Sequence, residues 1–448
     1  MIRSLSPRAP TLVTFGMLTL GIFAALGIIV LSGTKTGVAL ALAASIGPLG
    51  AYAAICAPLV FPFTLFVVLV PFDNLLSTDA FGTITRMLAI ACGVSIVLWL
   101  IRTRRAIMPD RALFVWCLLA FWALATLAWA IDTDTASTHL FTLFQLLALY
   151  AAASFVPVER RALRVVLFAV ICSGVAAAVY GIILFRSGTD VSANGRLVIT
   201  NDENTIDPNQ FAAALILPIS IALVNLVNGR SITTRTGCML ALIVMGGGIA
   251  VSGSRGGLLG VCAVFLYVFF RTRVRLLAAG IGLGALSIAL AFSNNVLTRF
   301  STATATGGAG RVDIWRVGLS ALREHLWFGA GFANFPVAFD QAFLSVTEKY
   351  FTHWHRAPHD ILISTGVELG VLGLVLLLLG WWTQFRALRQ IARADRLYNA
   401  RVALEAALIG LFIASLFLDI LTTKYLWLAF TVVMLVRNAA VAPAKAHQ

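Results

Sequence analysis

The chain has 448 residues, is 60% hydrophobic and only 12% charged, and carries a formal charge of +14 with a mean hydropathy of +0.93. A soluble globule carries roughly 25% charged residues, so the composition excludes one and fits a chain whose surface faces lipid. The basic balance would suit nucleic acid, but the arginines sit in short connections between apolar runs, where cytoplasmic loops keep them; no nucleic-acid partner is expected.

Apolar runs of about 20 residues, enough to cross a bilayer, recur without the alternation of β-barrel strands. The first covers about 11–32, and no small-residue cleavage site follows it, so no cleavable leader is expected. Region 37–71 is broken by Pro48, Pro58 and Pro62 and reads as two spans or as one span with a re-entrant piece. Further spans are expected near 82–101, 112–130, 138–156, 163–185, 208–228, 234–252, 255–271 and 275–294. After a long gap come 360–383, 402–419 and 423–437. This pattern predicts an all-α polytopic membrane protein with about 12 transmembrane helices and up to 14.

The connections "RTRRAIMPDR" (102–111), "ERRALR" (159–164), "GRSITTR" (229–235), "RTRVR" (271–275) and "FRALRQIARADR" (385–396) are arginine-rich and alternate with basic-poor ones. That pattern places both termini in the cytoplasm and makes the number of spans even. Two connections on the other side break it. Residues 187–207 carry Arg196, and 295–358 carry Arg299, Arg311, Arg316, Arg323 and Arg356. The longer one holds His325, His353 and His355, with His359 just beyond, out of six histidines in the chain. Its helix-like segment "VDIWRVGLSALREHL" predicts a large folded loop on the exterior side. The chain therefore divides into N-terminal transmembrane helices (1–294), a loop (295–358) and C-terminal helices with a short tail (359–448), all in one membrane domain.

The six cysteines, Cys56, Cys92, Cys117, Cys172, Cys238 and Cys262, lie in or beside apolar runs without a C-x-x-C, and read as small buried hydrophobes. No cofactor and no metal are expected. His355 and His359 are four apart, but Pro358 between them disfavours a helical metal pair, and "DTD" (132–134) is common turn chemistry.

Candidate chemistry gathers on the exterior side. "SGSRGG" (252–257) puts Arg255 at a membrane surface, as an interfacial anchor or an anion ligand. "GGAGRVDIW" (307–315) puts Arg311 at the start of an amphipathic helix, as a cap or an anion ligand. "DPNQFA" (207–212) reads as an N-cap with Pro208 in the first turn, Asn209 beside it, and follows the loop of Arg196. Arginine forks bind phosphate well, and several on one side suggest an anionic lipid headgroup. In "HRAPHDILISTGVELG" (355–370), Pro358 suits a first helical turn, which places His359 and Asp360 at a positively polarised helix start. That environment favours a neutral imidazole, the form a general base needs. The plainer reading is a histidine that caps or anchors the helix. Arg86, Glu368, Asp419 and Lys424 are polar residues in or near spans, where they are costly; Asp419 and Lys424 flank one turn and are candidates to pair or to hold substrate.

Four stretches, "SGSRGGLLG" (252–260), "GRVDIWRVGLSAL" (310–322), "HLWFGAGFANF" (325–335) and "APHDILISTGVELGVLGL" (357–374), resemble in order and spacing the motifs of the O-antigen ligase/polymerase superfamily. The resemblance covers about 200–380; Asp360 stands where the family usually has asparagine, and the N-terminal spans match only in general character. The resemblance implies a GT-C-like fold in the bacterial inner membrane, and metal-independent, inverting glycosyl transfer on the periplasmic face. The implied donor is a glycan on undecaprenyl pyrophosphate, and the acceptor is a lipid A–core sugar, within reach of membrane lipids. His359 would be the base, and Arg311, Arg255 and Arg196 would hold the pyrophosphate. Arg86, Asp360, Arg356 and Asn209 are further candidates for substrate contact. Polymerases and protein O-oligosaccharyltransferases of the superfamily are the alternatives; from another class, so is a transporter of an anionic lipid.

Overall fold

The computed structural model describes residues 50–271, 311–345 and 356–441, apart from 76, 79–81, 189–195, 198 and 202–203. The expected spans 11–32 and 275–294, part of 37–71, and His353 and His355 lie outside the described residues.

The chain is an all-α polytopic membrane protein. Among the described residues, nine helical segments are long and apolar enough to cross a bilayer. The helices are α1 (Phe63–Leu69), α2 (Ile84–Thr103), α3 (Arg111–Ala125), α4 (Thr133–Ser154), α5 (Arg160–Ser187), α6 (Pro208–Ala214), α7 (Ile216–Asn228) and α8 (Ile232–Ser252). They continue with α9 (Arg255–Arg271), α10 (Arg311–Glu324), α11 (Phe335–Ser345), α12 (Ile361–Arg389), α13 (Tyr398–Ser415) and α14 (Lys424–Val441). Two small hairpins, β1 (Ser77–Thr78) with β2 (Gly82–Thr83) and β3 (Ile199–Asn201) with β4 (Asn204–Ile206), are antiparallel. At 17 residues, α9 is at the short end of what spans.

Local chemistry sets most boundaries. Asp110, Asp132, Asp207 and Asp360 each accept from backbone N–H groups at the start of α3, α4, α6 and α12, filling orphan donors of the first turn. Asp132 thus accounts for the "DTD" sequence as a cap, and among the described residues no cluster of three metal-ligating side chains occurs. The expected 208–228 span is two helices joined at Leu215. All six cysteines are free; Cys172 and Cys262 are exposed on the outside of the bundle rather than buried, so the reading holds for only some of them.

Burial orders the bundle. The Pro208–Asn228 segment is 83% buried and α14 is 78% buried, against 22% of α2, so the former are central and α2 is peripheral. α9 lies against α13 where Gly260 meets Gly410: a Cβ on Gly260 would stand 2.6 Å from the Gly410 carbonyl oxygen, so two backbones touch as small residues allow in membranes.

α12 departs from a simple span. Gly370 has φ 67° and ψ −169°, which breaks the helix in two. The Val367 and Glu368 carbonyls accept from Ala330 N (2.8 Å) and Gly331 N (3.0 Å). Trp122 Nε1 donates to Leu369 O at 2.8 Å, and Val371 N donates to Leu326 O at 2.8 Å. The break is thus sealed by the 326–331 segment, whose turn needs Gly329 (φ 78°): a Cβ there would come within 2.1 Å of the Glu368 oxygen. Counting about 20 residues back from Arg386 at 1.5 Å each reaches roughly residue 366. The half of α12 before Gly370 therefore stands at and beyond the edge of the hydrocarbon.

Candidate functional site

The upper half of α12 has its own small core. Ile314 and Val317 of α10, Phe335 and Phe339 of α11, and Val367 are buried together. Fully burying one such side chain contributes about 1.5–3 kcal/mol, enough to hold the loop helices on α12 and fix the first residue of α10, Arg311.

Charged residues from three places in the chain surround His359. His359 is half-buried, with φ 48°, an uncommon conformation for a side chain larger than glycine. It sits just before the helix, not in its first turn: Asp360 is the N-cap, its Oδ1 accepting from Leu362 N (2.8 Å) and Ile363 N (2.9 Å). Pro358 likewise precedes the helix, which corrects the expected first-turn placement of these three residues. Once Asp360 claims the helix donors, the imidazole is governed by other neighbours. Burial pushes its pKa below the ordinary 6.5, the Arg311 guanidinium pushes the same way, Asp207 opposes, and Arg356 adds to the lowering. The direction favours the neutral form, with desolvation and arginines as the cause.

Those electrostatic neighbours show what the fold assembles: Arg311 from the start of α10, Asp207 from the cap of α6, and Arg356 from the approach to α12. Arg356 Nε is buried and has no hydrogen-bond partner among the described residues. Arg196 Nε donates to Ser252 O (3.0 Å) and its Nη2 to Asn209 Oδ1 (3.0 Å). Ser254 Oγ donates to the same Asn209 oxygen at 2.8 Å, and Asn209 is itself buried. The Arg196 loop, the start of α6 and the turn that launches Arg255 are therefore one hydrogen-bonded unit, next to Asp207 and hence to His359.

Phe417 links this unit to Arg311. Its ring lies 5.8 Å from the Arg311 guanidinium carbon and 6.4 Å from Trp315, and its Cβ is so close to Gly256 that a Cβ added there would be 2.9 Å away. One ring thus touches both the helix that begins with Arg311 and the residue after Arg255. Nothing in the sequence marked Phe417, an aromatic in an apolar run.

Behind the site lie buried carboxyls. Ser364 Oγ donates to Asp419 Oδ2 at 2.7 Å and lies 3.3 Å from Glu368 Oε1, whose oxygen also faces Phe335 N at 3.4 Å. Burial raises the pKa of Asp419, against bonds from Ser364 and Leu421; it also raises Asp360, against its cap bonds and with Asp419 nearby. Asp419 does not pair with Lys424. Lys424 Nζ instead holds both oxygens of Asp73 (2.6 Å each) and the hydroxyls of Thr83 and Thr85 (2.9 Å each). That interaction clamps the β1–β2 hairpin region to α14. Arg86 lies 4.7 Å over the Phe141 ring of α4, with its charge near Lys424.

Of the expected site residues, the structure gathers His359, Arg311, Arg356, Arg196, Asn209 and Arg255 around one end of the bundle. Asp360 caps α12, and the Arg86 guanidinium stacks over Phe141 of α4. Asp207 appears as a charge beside His359, where the sequence showed only a cap.

A family described as O-Antigen ligase matches residues 240–378, a stretch that contains Arg255, Arg311, Arg356 and His359. Asp207, Asn209, Arg196 and Phe417 lie outside it. Comparison with curated proteins gives no match.

Proposed function

The chain carries an O-antigen ligase family domain over residues 240–378, and from that premise we propose that it transfers O-antigen polysaccharide from undecaprenyl pyrophosphate to a sugar hydroxyl of lipid A–core. The transfer takes place on the periplasmic face of the inner membrane, and both chain termini are cytoplasmic. The observation that carries the reading is a desolvated histidine beside arginines at the lipid edge: His359 with Arg311 and Arg356, and the Arg196–Asn209–Ser254 unit next to it.

In this reaction the acceptor oxygen forms a bond to the anomeric carbon as that carbon's bond to the pyrophosphate oxygen breaks. A neutral His359 takes the hydroxyl proton. The electron pair leaves with the pyrophosphate, and Arg311, Arg255 and Arg196 stabilise the charge that builds there. A single displacement inverts the anomeric configuration. Pyrophosphate is already a good leaving group and guanidinium forks match its oxygens, so we propose that the transfer is metal-independent. Asn209 acts by orienting Arg196, and Arg356 contributes a buried donor next to the base.

A broken helix is also a feature of transporters, whose unwound carbonyls coordinate ions. At Gly370 the Val367, Glu368 and Leu369 carbonyls are each taken by Ala330, Gly331 or Trp122, which favours the enzyme.

The test is a reaction of purified protein with a lipid-pyrophosphate-linked glycan, with and without lipid A–core. Glycan on lipid A–core, with the anomeric configuration inverted, is the expected product. Longer lipid-linked chains without transfer would assign a polymerase, and glycan on an added serine/threonine peptide a protein oligosaccharyltransferase.

A further inference from the structure

Beside the site is a surface that the transfer reaction does not use. Leu326, Trp327 and Phe328 are 37%, 68% and 65% exposed. On α10 the outward stripe reads Val312, Arg316, Leu319 and Arg323, spaced as one helical face, all of it exposed. Arg316 is paired only loosely with Asp313, at 3.8 Å and mostly in the open.

The position of this surface is fixed by backbone. Leu326 O accepts from Val371 N, and a Cβ on Gly370 would lie 2.3 Å from the Trp327 oxygen, so the aromatic pair sits at the break in α12. Directly past the break the helix turns Leu372, Val375, Leu379 and Trp382 outward, as a lipid-facing stripe does. On the other flank the Phe328 ring lies 6.4 Å from Trp122 and 6.2 Å from Trp129, at the end of the α3 span. Counted along α12 from Arg386, this cluster stands about 24 Å away, just inside the far edge of a hydrocarbon layer of about 30 Å. Tryptophan collects at that level, where its ring meets the headgroups.

We propose that Leu326–Phe328 and the outward stripe of α10 bind the phospholipid leaflet at the His359 end of the protein. The aromatics rest among the upper acyl chains, and Arg316 and Arg323 lie at anionic lipid phosphates. Alternating arginines with apolar residues on one helical face is the composition of a helix that lies in the interface. A second copy of the chain would be a poor occupant, because a two-fold contact would bring the arginines of both copies together. The consequence is functional: α10 is held at headgroup depth, and its first residue is Arg311.

The experiment places an environment-sensitive NBD label at Trp327→Cys, in a chain whose six other cysteines are serine. The protein is reconstituted in vesicles of phosphatidylethanolamine and phosphatidylglycerol. Nitroxides on acyl carbon 5 should quench the label more than nitroxides on carbon 12, and aqueous iodide should quench it least. Quenching by iodide alone would overturn the proposal and put the surface in water. Quenching by none of them would mean that protein covers it, a second copy included. A blue shift that appears only on adding the lipid-linked donor would assign the surface to substrate instead. Phe328→Cys, labelled in the same way, guards against a misfolded first variant.

Discussion

The two halves of α12 follow each other in the chain and differ in almost everything else. From Ser364 to Gly370 every residue is buried, and Ser364, Thr365 and Glu368 are polar. After the break, Leu372, Val375, Leu379 and Trp382 face outward. The upper half is solvated by protein: loop N–H groups take its carbonyls, and Asp419 and Phe335 surround its polar side chains. The lower half turns one face to lipid and packs the other, with Leu377, Gly380, Trp381 and Gln384 buried, into the bundle. A run that reads as one membrane span is thus half membrane helix and half the scaffold of a site, with Gly370 as the border.

The widest gap between the halves should open at Arg311, which α10 presents over the upper half. Arg311→Gln should lower glycan transfer about 10²- to 10³-fold, as when one charge-stabilising donor is removed, while the folded yield in detergent stays the same. Normal transfer by that variant would take the pyrophosphate away from Arg311.

Gly370→Val attacks the border itself. Positive φ and the Trp327 carbonyl both oppose a branched side chain, and strained backbone alone costs on the order of 1–3 kcal/mol. The variant should melt well below wild type in detergent. Gly93→Ala, with nothing within 4 Å of the new methyl, should melt with wild type. Equal melting of all three would mean that the helix runs through unbroken.

A smaller effect is expected at Phe417. Phe417→Leu removes the ring under Arg311, an interaction worth about 0.5–2 kcal/mol, so transfer should fall roughly 2- to 30-fold, chiefly in kcat, and Phe417→Trp should restore most of it. If leucine and tryptophan behave alike, the ring acts by bulk alone.

The smallest predicted change is a shift in pH profile. Arg356 lowers the His359 pKa and Asp207 raises it. Arg356→Gln should therefore move the acid limb of transfer up towards the ordinary histidine value of about 6.5, and Asp207→Asn should move it down. Shifts of opposite sign would show that these charges do not face the base.

The sequence made the membrane class plain, because apolar runs of bilayer length need no tertiary information. It also singled out the arginines and His359 as candidates, since basic residues on the connections opposite the arginine-rich ones run against the usual charge pattern. It could not reveal that Asp360 caps the helix and displaces His359 from the first turn, since Pro358 fits either arrangement. Lys424 looked like a partner for nearby Asp419 but reaches Asp73, more than 300 positions away, as only the fold can arrange. Phe417 carried no polar signal. The break at Gly370 was hidden for the opposite reason: glycine is common in transmembrane helices, so it reads as ordinary there.

The most direct test of the central claim is the rate of glycan transfer to lipid A–core by purified wild type and His359→Ala, with EDTA present, from roughly pH 5 to 8. The account predicts transfer by wild type with an acid limb below the ordinary histidine pKa, and a rate about 10²- to 10⁴-fold lower for the variant. Full activity in His359→Ala would contradict it, and would leave His359 as no more than a residue that shapes the entry to the helix.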